Sequence, residues 1–135
     1  MRNFVTKISM PFARFSLFII YAGFGLLKII GESPANEIVK ALFEKTIASR
    51  LTFLSFDQFF LAFGIFEILI GILFLIKFDR TAFLLLIVHL CTTALPLFMI
   101  GELVWAKNWI PTLEGQYIIK NLALLSLGFF VYSRD

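Results

Sequence analysis

The chain has 135 residues, of which 60% are hydrophobic and 16% charged, with a formal net charge of +3. A domain this small keeps much of its surface exposed in any fold, so the apolar excess excludes an ordinary water-soluble domain and implies a bilayer. Its 12 Lys and Arg residues form no dense cluster, which sets a nucleic-acid partner aside.

Four apolar runs follow in order, at about residues 12–30, 59–76, 81–100 and 116–132. Each is near the ~17–25 residues a helix needs to cross hydrocarbon, and a helix satisfies its own backbone groups there. The expected fold is all-α: a single transmembrane domain over residues 1–135, built as a four-helix membrane bundle. The N-terminal stretch from Met1 to Arg14, where the first run begins, is basic, with Arg2, Lys7 and Arg14. The run is longer than a signal-peptide core and lacks a small-x-small cleavage site, so it predicts a retained span.

Between the first two runs, Ser33 is a plausible N-cap and Pro34 suits the first helical position. Ile38, Val39, Leu42, Phe43 and Ile47 recur at helical spacing, with Glu37, Lys40, Glu44 and Lys45 on the other side. This predicts a short amphipathic helix, lying on the outer membrane surface or packed over the bundle mouth. Trp105 and Trp109 in the next outer loop suit headgroup-level anchors. The fourth run is the least apolar, since it contains Lys120 and Asn121.

Flanking cations set the expected orientation. Arg2, Lys7, Arg14, Lys77, Arg80 and Arg134 fall on one side; Lys40, Lys45, Arg50 and Lys107 fall on the other. The short turn at Lys77–Arg80 reinforces this bias, which places both termini in the cytoplasm.

Ionisable groups in hydrocarbon are costly and need a partner or a purpose. The candidates are Lys28, Glu67, His89 and Lys120, with Asn121 beside the last. Glu67 is ten residues past Asp57, roughly 15 Å below the outer surface. His89 is nine residues past Arg80, roughly 13 Å above the inner surface. The two are therefore nearly level, and a Glu67–His89 hydrogen bond is expected. Lys28, two residues from the end of its run, is expected to snorkel outward. Lys120 can reach the outer surface or Glu67.

Helical faces support an inward polar stripe on every run. Gly64, Glu67 and Gly71 share a face, and small residues there allow close helix approach. Tyr21, Gly25 and Lys28 share another; so do His89, Thr92, Thr93 and Pro96, and Tyr117, Asn121, Leu124 and Gly128. Such a network either fixes helix register or handles protons or a ligand. Other chemistries fail on counting: one His and one Cys exclude a bis-histidine haem and an intrachain disulfide. Cys91 and His89, two apart, do not face each other on a helix. No zinc-ligand cluster or phosphate-cradling loop is present, so no metal is expected.

Several motifs add a resemblance. Gly25-Leu26-Leu27-Lys28 resembles the G-x-x-K ending of the first helix in DoxX-like proteins. Gly31-Glu32-Ser33-Pro34 is similar to their YkgB-type branch. Glu67-Ile68-Leu69-Ile70-Gly71 is similar to the family's E-x-x-x-G. Gly115 to Leu122 resembles its G-x-Y-x-x-K-N opening of the fourth helix. Their order and spacing match over nearly the whole chain.

The resemblance implies a bacterial inner-membrane protein with Lys28, Glu67, Lys120 and Asn121 as one set; His89 lies outside the pattern. Family members are linked to membrane oxidoreductase complexes, to a thiosulfate:quinone oxidoreductase subunit and to oxidative-stress resistance. The expected role is a membrane subunit in quinone-linked redox chemistry or oxidative-stress defence. Quinone is the compatible cofactor, and the partners are the bilayer with a redox protein or a second copy. The alternatives are a small transporter with a polar pocket and a scaffold recruiting a soluble partner.

Overall fold

The computed structural model describes residues 1–134. In chain order these form α1 (Arg2–Ile29), α2 (Asn36–Thr46), α3 (Phe56–Leu75), α4 (Asp79–Ala94), α5 (Pro96–Met99) and α6 (Gly101–Val104). They continue with β1 (Trp105–Lys107), β2 (Ile110–Pro111) and α7 (Leu113–Ser133).

The long helices start where local chemistry supplies the backbone partners that a first turn lacks. Ser55 accepts from the Gln58 amide at 3.2 Å, while the Gln58 side chain accepts from the Ser55 amide at 3.2 Å. This reciprocal cap begins α3. The Thr112 hydroxyl accepts from the Gly115 amide at 3.2 Å and begins α7. Pro96 has no amide to continue α4 and divides it from α5. The predicted cap at Ser33 and Pro34 is displaced: α2 begins at Asn36, with Ala35 at the N-cap. Ser33 instead accepts from the Ala35 amide at 3.2 Å, a local turn that competes with helix extension.

Three helices are long and apolar enough to cross a membrane: Arg2–Ile29, Phe56–Leu75 and Asp79–Met99, the last joining α4 to α5. These support a membrane protein. With 21 residues, α7 has the length of a span, but Gln116, Lys120 and Asn121 lower the apolarity of its first half.

α1 lies along α3, α3 contacts α4, α4 packs on α7, and α7 returns to α1. Leu17, Tyr21, Ile70, Phe74, Ala82, Leu86 and Val131 form the core between them. Large apolar side chains also cover the outside, including Phe15, Ile19, Ile65, Leu84 and Val88. The outside is thus apolar as well as the core, as contact with hydrocarbon requires.

α2 is held by packing. Its Phe43 is buried against α3, with ring centroids 5.7 Å from Phe56 and 5.2 Å from Phe59. The Lys45 ammonium donates to the Met99 carbonyl. Sequence periodicity did not disclose the short β1–β2 hairpin. It brings Trp105 and Trp109 into an edge-to-face pair at 5.7 Å. Trp105 donates its indole N–H to the Leu97 carbonyl at 2.9 Å, while Trp109 stays exposed.

Glycines set the α1–α3 contact. A Cβ on Gly64 would lie 2.8 Å from the Gly25 carbonyl oxygen, and one on Gly71 would lie 3.1 Å from the Ala22 nitrogen. A Cβ on Gly25 would collide with the Gly64 carbonyl, and backbone cannot turn aside as a side chain can. Gly25→Ala is accordingly expected to cost about 1–3 kcal/mol, measured by unfolding in detergent. Gly23, with open space around it, is the control: Gly23→Ala should be neutral or stabilising, as alanine is the better helix former.

Candidate functional site

Among the described residues, the buried charged or titratable groups include Arg14, Lys28, Glu67, Asp79 and His89. They form two sites. The central one is organised by Glu67, twelfth of the 20 residues of α3 and only 2% exposed.

The carboxylate spans two neighbours. Glu67 Oε1 lies 2.8 Å from His89 Nε2 on α4, and Oε2 lies 2.8 Å from Lys28 Nζ on α1. The lysine contact is an ion pair, since Oε2 has no hydrogen bond of good geometry. Tyr21 on α1 approaches His89 Nδ1 at 3.3 Å. Partner chemistry decides the proton positions. An ionised carboxylate only accepts, so Nε2–H donates to Glu67; when the ring is neutral, Nδ1 then accepts from the Tyr21 hydroxyl. With a neutral imidazole, the ammonium and carboxylate charges cancel.

Aromatic rings wall the network from lipid. Phe63 stacks on His89 at 5.2 Å and 14°, and Tyr21 meets it edge-on at 5.0 Å and 77°. The Lys28 ammonium lies 5.5 Å from the Phe63 centroid and 5.9 Å from that of Phe60. Ring faces contribute a favourable quadrupole to a desolvated cation.

The Glu67–His89 bond expected from helix depth is present. Lys28 departs from the outward pose: it is 7% exposed and turned to Glu67. An unpaired buried carboxylate costs more than desolvating one ammonium beside it. Gly64 opens the path, because a Cβ there would lie 3.0 Å from Lys28 Cβ. Tyr21, Gly25, Gly64 and Gly71 therefore gather with Lys28, Glu67 and His89.

The residues on α7 do not join them. Lys120 is exposed, with Nζ 5.3 Å from the Tyr117 ring centroid, and Tyr117 is itself exposed. Asn121 Nδ2 donates to Thr93 Oγ1 on α4 at 3.3 Å. α7 packs on α4 and α1, so its amide meets the threonine of α4. An apolar groove of about 320 Å³ lies between α4 and α7, lined in part by Ile87, Leu90, Cys91, Asn121 and Leu125.

The second site is one the sequence reading left in the flanks. The Arg14 guanidinium grips Asp79 with both terminal nitrogens, Nη2 to Oδ2 at 2.6 Å and Nη1 to Oδ1. Nη1 also donates to the Phe74 carbonyl at 3.1 Å. A forked donor suits a carboxylate and a helix-terminal carbonyl at once. Arg14 thus ties α1 to the last turn of α3 and the first turn of α4. One signal was available: Arg14, Tyr21 and Lys28 recur every seven residues, which puts them on one helix face.

Removing one partner of a buried pair strands the other. Lys28→Met is expected to lower unfolding free energy by about 3–5 kcal/mol. Lys28→Met combined with Glu67→Gln restores neutrality and keeps an acceptor for His89. That double variant should be more stable than Lys28→Met alone, and additive losses in a double-mutant cycle would contradict the pairing. Comparison of the chain with protein-family models, with characterised proteins and with solved structures finds no match.

Proposed function

We propose that the chain is a DoxX-like protein of a bacterial inner membrane, with α7 as its fourth span and both termini in the cytoplasm. In this reading it is the membrane subunit of a quinone-linked redox or oxidative-stress system. The carrying observation is the continuous series Tyr21–His89–Glu67–Lys28, which joins titratable groups of three helices inside an apolar shell. Three motif residues of the resemblance, Gly25, Lys28 and Glu67, meet at its centre.

The chemistry follows from hydrogen-bond roles. Reducing a quinone takes two electrons and two protons, and the protons must reach a site away from water. His89 can accept a proton at one ring nitrogen and give one up at the other, because Nδ1 faces Tyr21 and Nε2 faces Glu67. Lys28 supplies the counter-charge that holds this carboxylate among helices. The electrons come from a partner protein in this reading.

The groove between α4 and α7 fits an apolar ring in size, since small-molecule sites begin near ~300 Å³. Its walls are mostly aliphatic, and Asn121 retains a second N–H and a carbonyl beyond its bond to Thr93. α4 carries His89 toward the network and Ile87, Leu90 and Cys91 along the groove. A bound quinone would supply the electron acceptor.

Purification in mild detergent tests this reading. Quinone and an electron-donating protein should copurify, and the complex should reduce quinone. The Lys28→Met/Glu67→Gln variant keeps shape and neutrality but has no ionisable carboxyl. Its turnover per folded molecule should fall by about 10²-fold or more, the scale of a lost general acid–base group. Full turnover in that variant reduces the network to a register lock and overturns the proposal, as does wild-type protein free of quinone and partner.

A further inference from the structure

The Arg14 clamp fixes how far α1 extends past the rest of the protein. Arg14 contacts the last turn of α3 and the first turn of α4, so it marks the end of both helices. Met10 and Ala13 still pack against the core, and the eight residues from Arg2 to Ser9 continue α1 beyond them, a length of about 12 Å. All of residues 1–8 are exposed.

This extension is two-faced. Phe4, Val5, Ile8 and Phe12 are each 45% exposed or more, and they fall on one side at helical spacing. That stripe runs on into Phe15 and Ile19, the outward side of α1, opposite Leu17, Tyr21 and Lys28. Arg2, Asn3, Thr6, Lys7 and Ser9 take the remaining surface. A straight helix would hold the apolar stripe in water. Pro11 lies inside α1 and cannot donate to the Lys7 carbonyl, so the helix is weakest where the extension begins. Bending outward there turns the lipid-facing side down onto the bilayer, and the polar side up.

Charge identifies the surface. Arg2, Lys7, Lys77, Arg80 and Arg134 lie at the Arg14 end, where Tyr132 of α7 stacks on Phe83 of α4 at 4.9 Å. Among the described residues the acid at this end is Asp79, already neutralised by Arg14. Glu32, Glu37, Glu44, Asp57, Glu102 and Glu114 lie in the elements at the opposite end. A second copy seated on the stripe would bring like charges together, whereas anionic headgroups complement them.

We propose that Arg2–Ser9 is a hinged amphipathic anchor that lies on the anionic leaflet at the Arg14 end, with Phe4, Val5 and Ile8 inserted and Arg2 and Lys7 on lipid phosphate. Spin labels test it on the full chain, with the exposed Cys91 replaced as Cys91→Ser. Single cysteines go in as Phe4→Cys, Ile8→Cys or Thr6→Cys. The protein is reconstituted in phosphatidylcholine vesicles with or without roughly one-third phosphatidylglycerol.

With phosphatidylglycerol present, labels at 4 and 8 should be at least roughly threefold less accessible to a water-soluble nickel chelate than the label at 6. Omitting it, or introducing Arg2→Gln with Lys7→Gln, should reduce the inserted fraction by roughly tenfold. Equal accessibility at 4, 6 and 8 in every vesicle overturns the anchor. Dipolar coupling between labels at position 4 on neighbouring copies overturns it in favour of a self-association face.

Discussion

Glu67 places a charge in the middle of α3, the most apolar of the three long helices, and the surrounding architecture follows from the need to neutralise it. Water cannot reach a side chain that is 2% exposed. Its two oxygens must therefore take partners from other helices, one from α1 and one from α4. Lys28 can supply the counter-charge only if α1 comes close, and α1 comes close only where both helices lack side chains. The glycines at 25, 64 and 71 are thus a condition of the ion pair as well as of the packing.

The Arg14–Asp79 pair fixes the other end. Arg14 and Lys28 are fourteen residues apart on one face of α1, about 21 Å along its axis. Two ionic ties at two heights determine both the register and the rotation of α1 against α3 and α4. Apolar contact alone specifies neither well in hydrocarbon, where lipid is as good a neighbour as leucine. Buried pairs contribute little net stability compared with apolar replacements. Here their effect lies in selecting one arrangement of otherwise interchangeable surfaces.

The same selection gives the protein chemical capacity. A lock made of two groups would suffice for register, yet this one continues through His89 to Tyr21 and adds an imidazole with distinct donors and acceptors on its two nitrogens. α4 presents the imidazole on one side and an aliphatic groove on another. The proposed redox role and the proposed surface anchor use opposite properties of α1. One depends on its inward polar face, the other on its outward apolar face past the clamp.

The first three apolar runs, the amphipathic α2 and the Glu67–His89 pairing were legible because each rests on periodicity or on depth, which a linear sequence contains. The glycine-flanked face around Glu67 was legible for the same reason. The direction of Lys28 was not: a lysine near a helix end has two low-cost destinations, and the distance to Glu67 across α1 and α3 decides between them. Tyr117 shares a stripe with Asn121, but α7 packs against α4 and α1, so Asn121 meets Thr93 while Tyr117 and the adjacent Lys120 stay exposed, away from the carboxylate. Arg14 read as a flanking charge because nothing local shows that the α3–α4 turn, with Asp79, closes over the start of the α1 core. The sequence by itself determined which residues prefer lipid and which faces are polar, through composition and helical period. Tertiary packing alone decided which polar groups meet, because the free energy of a buried charge depends on its partner's position in space.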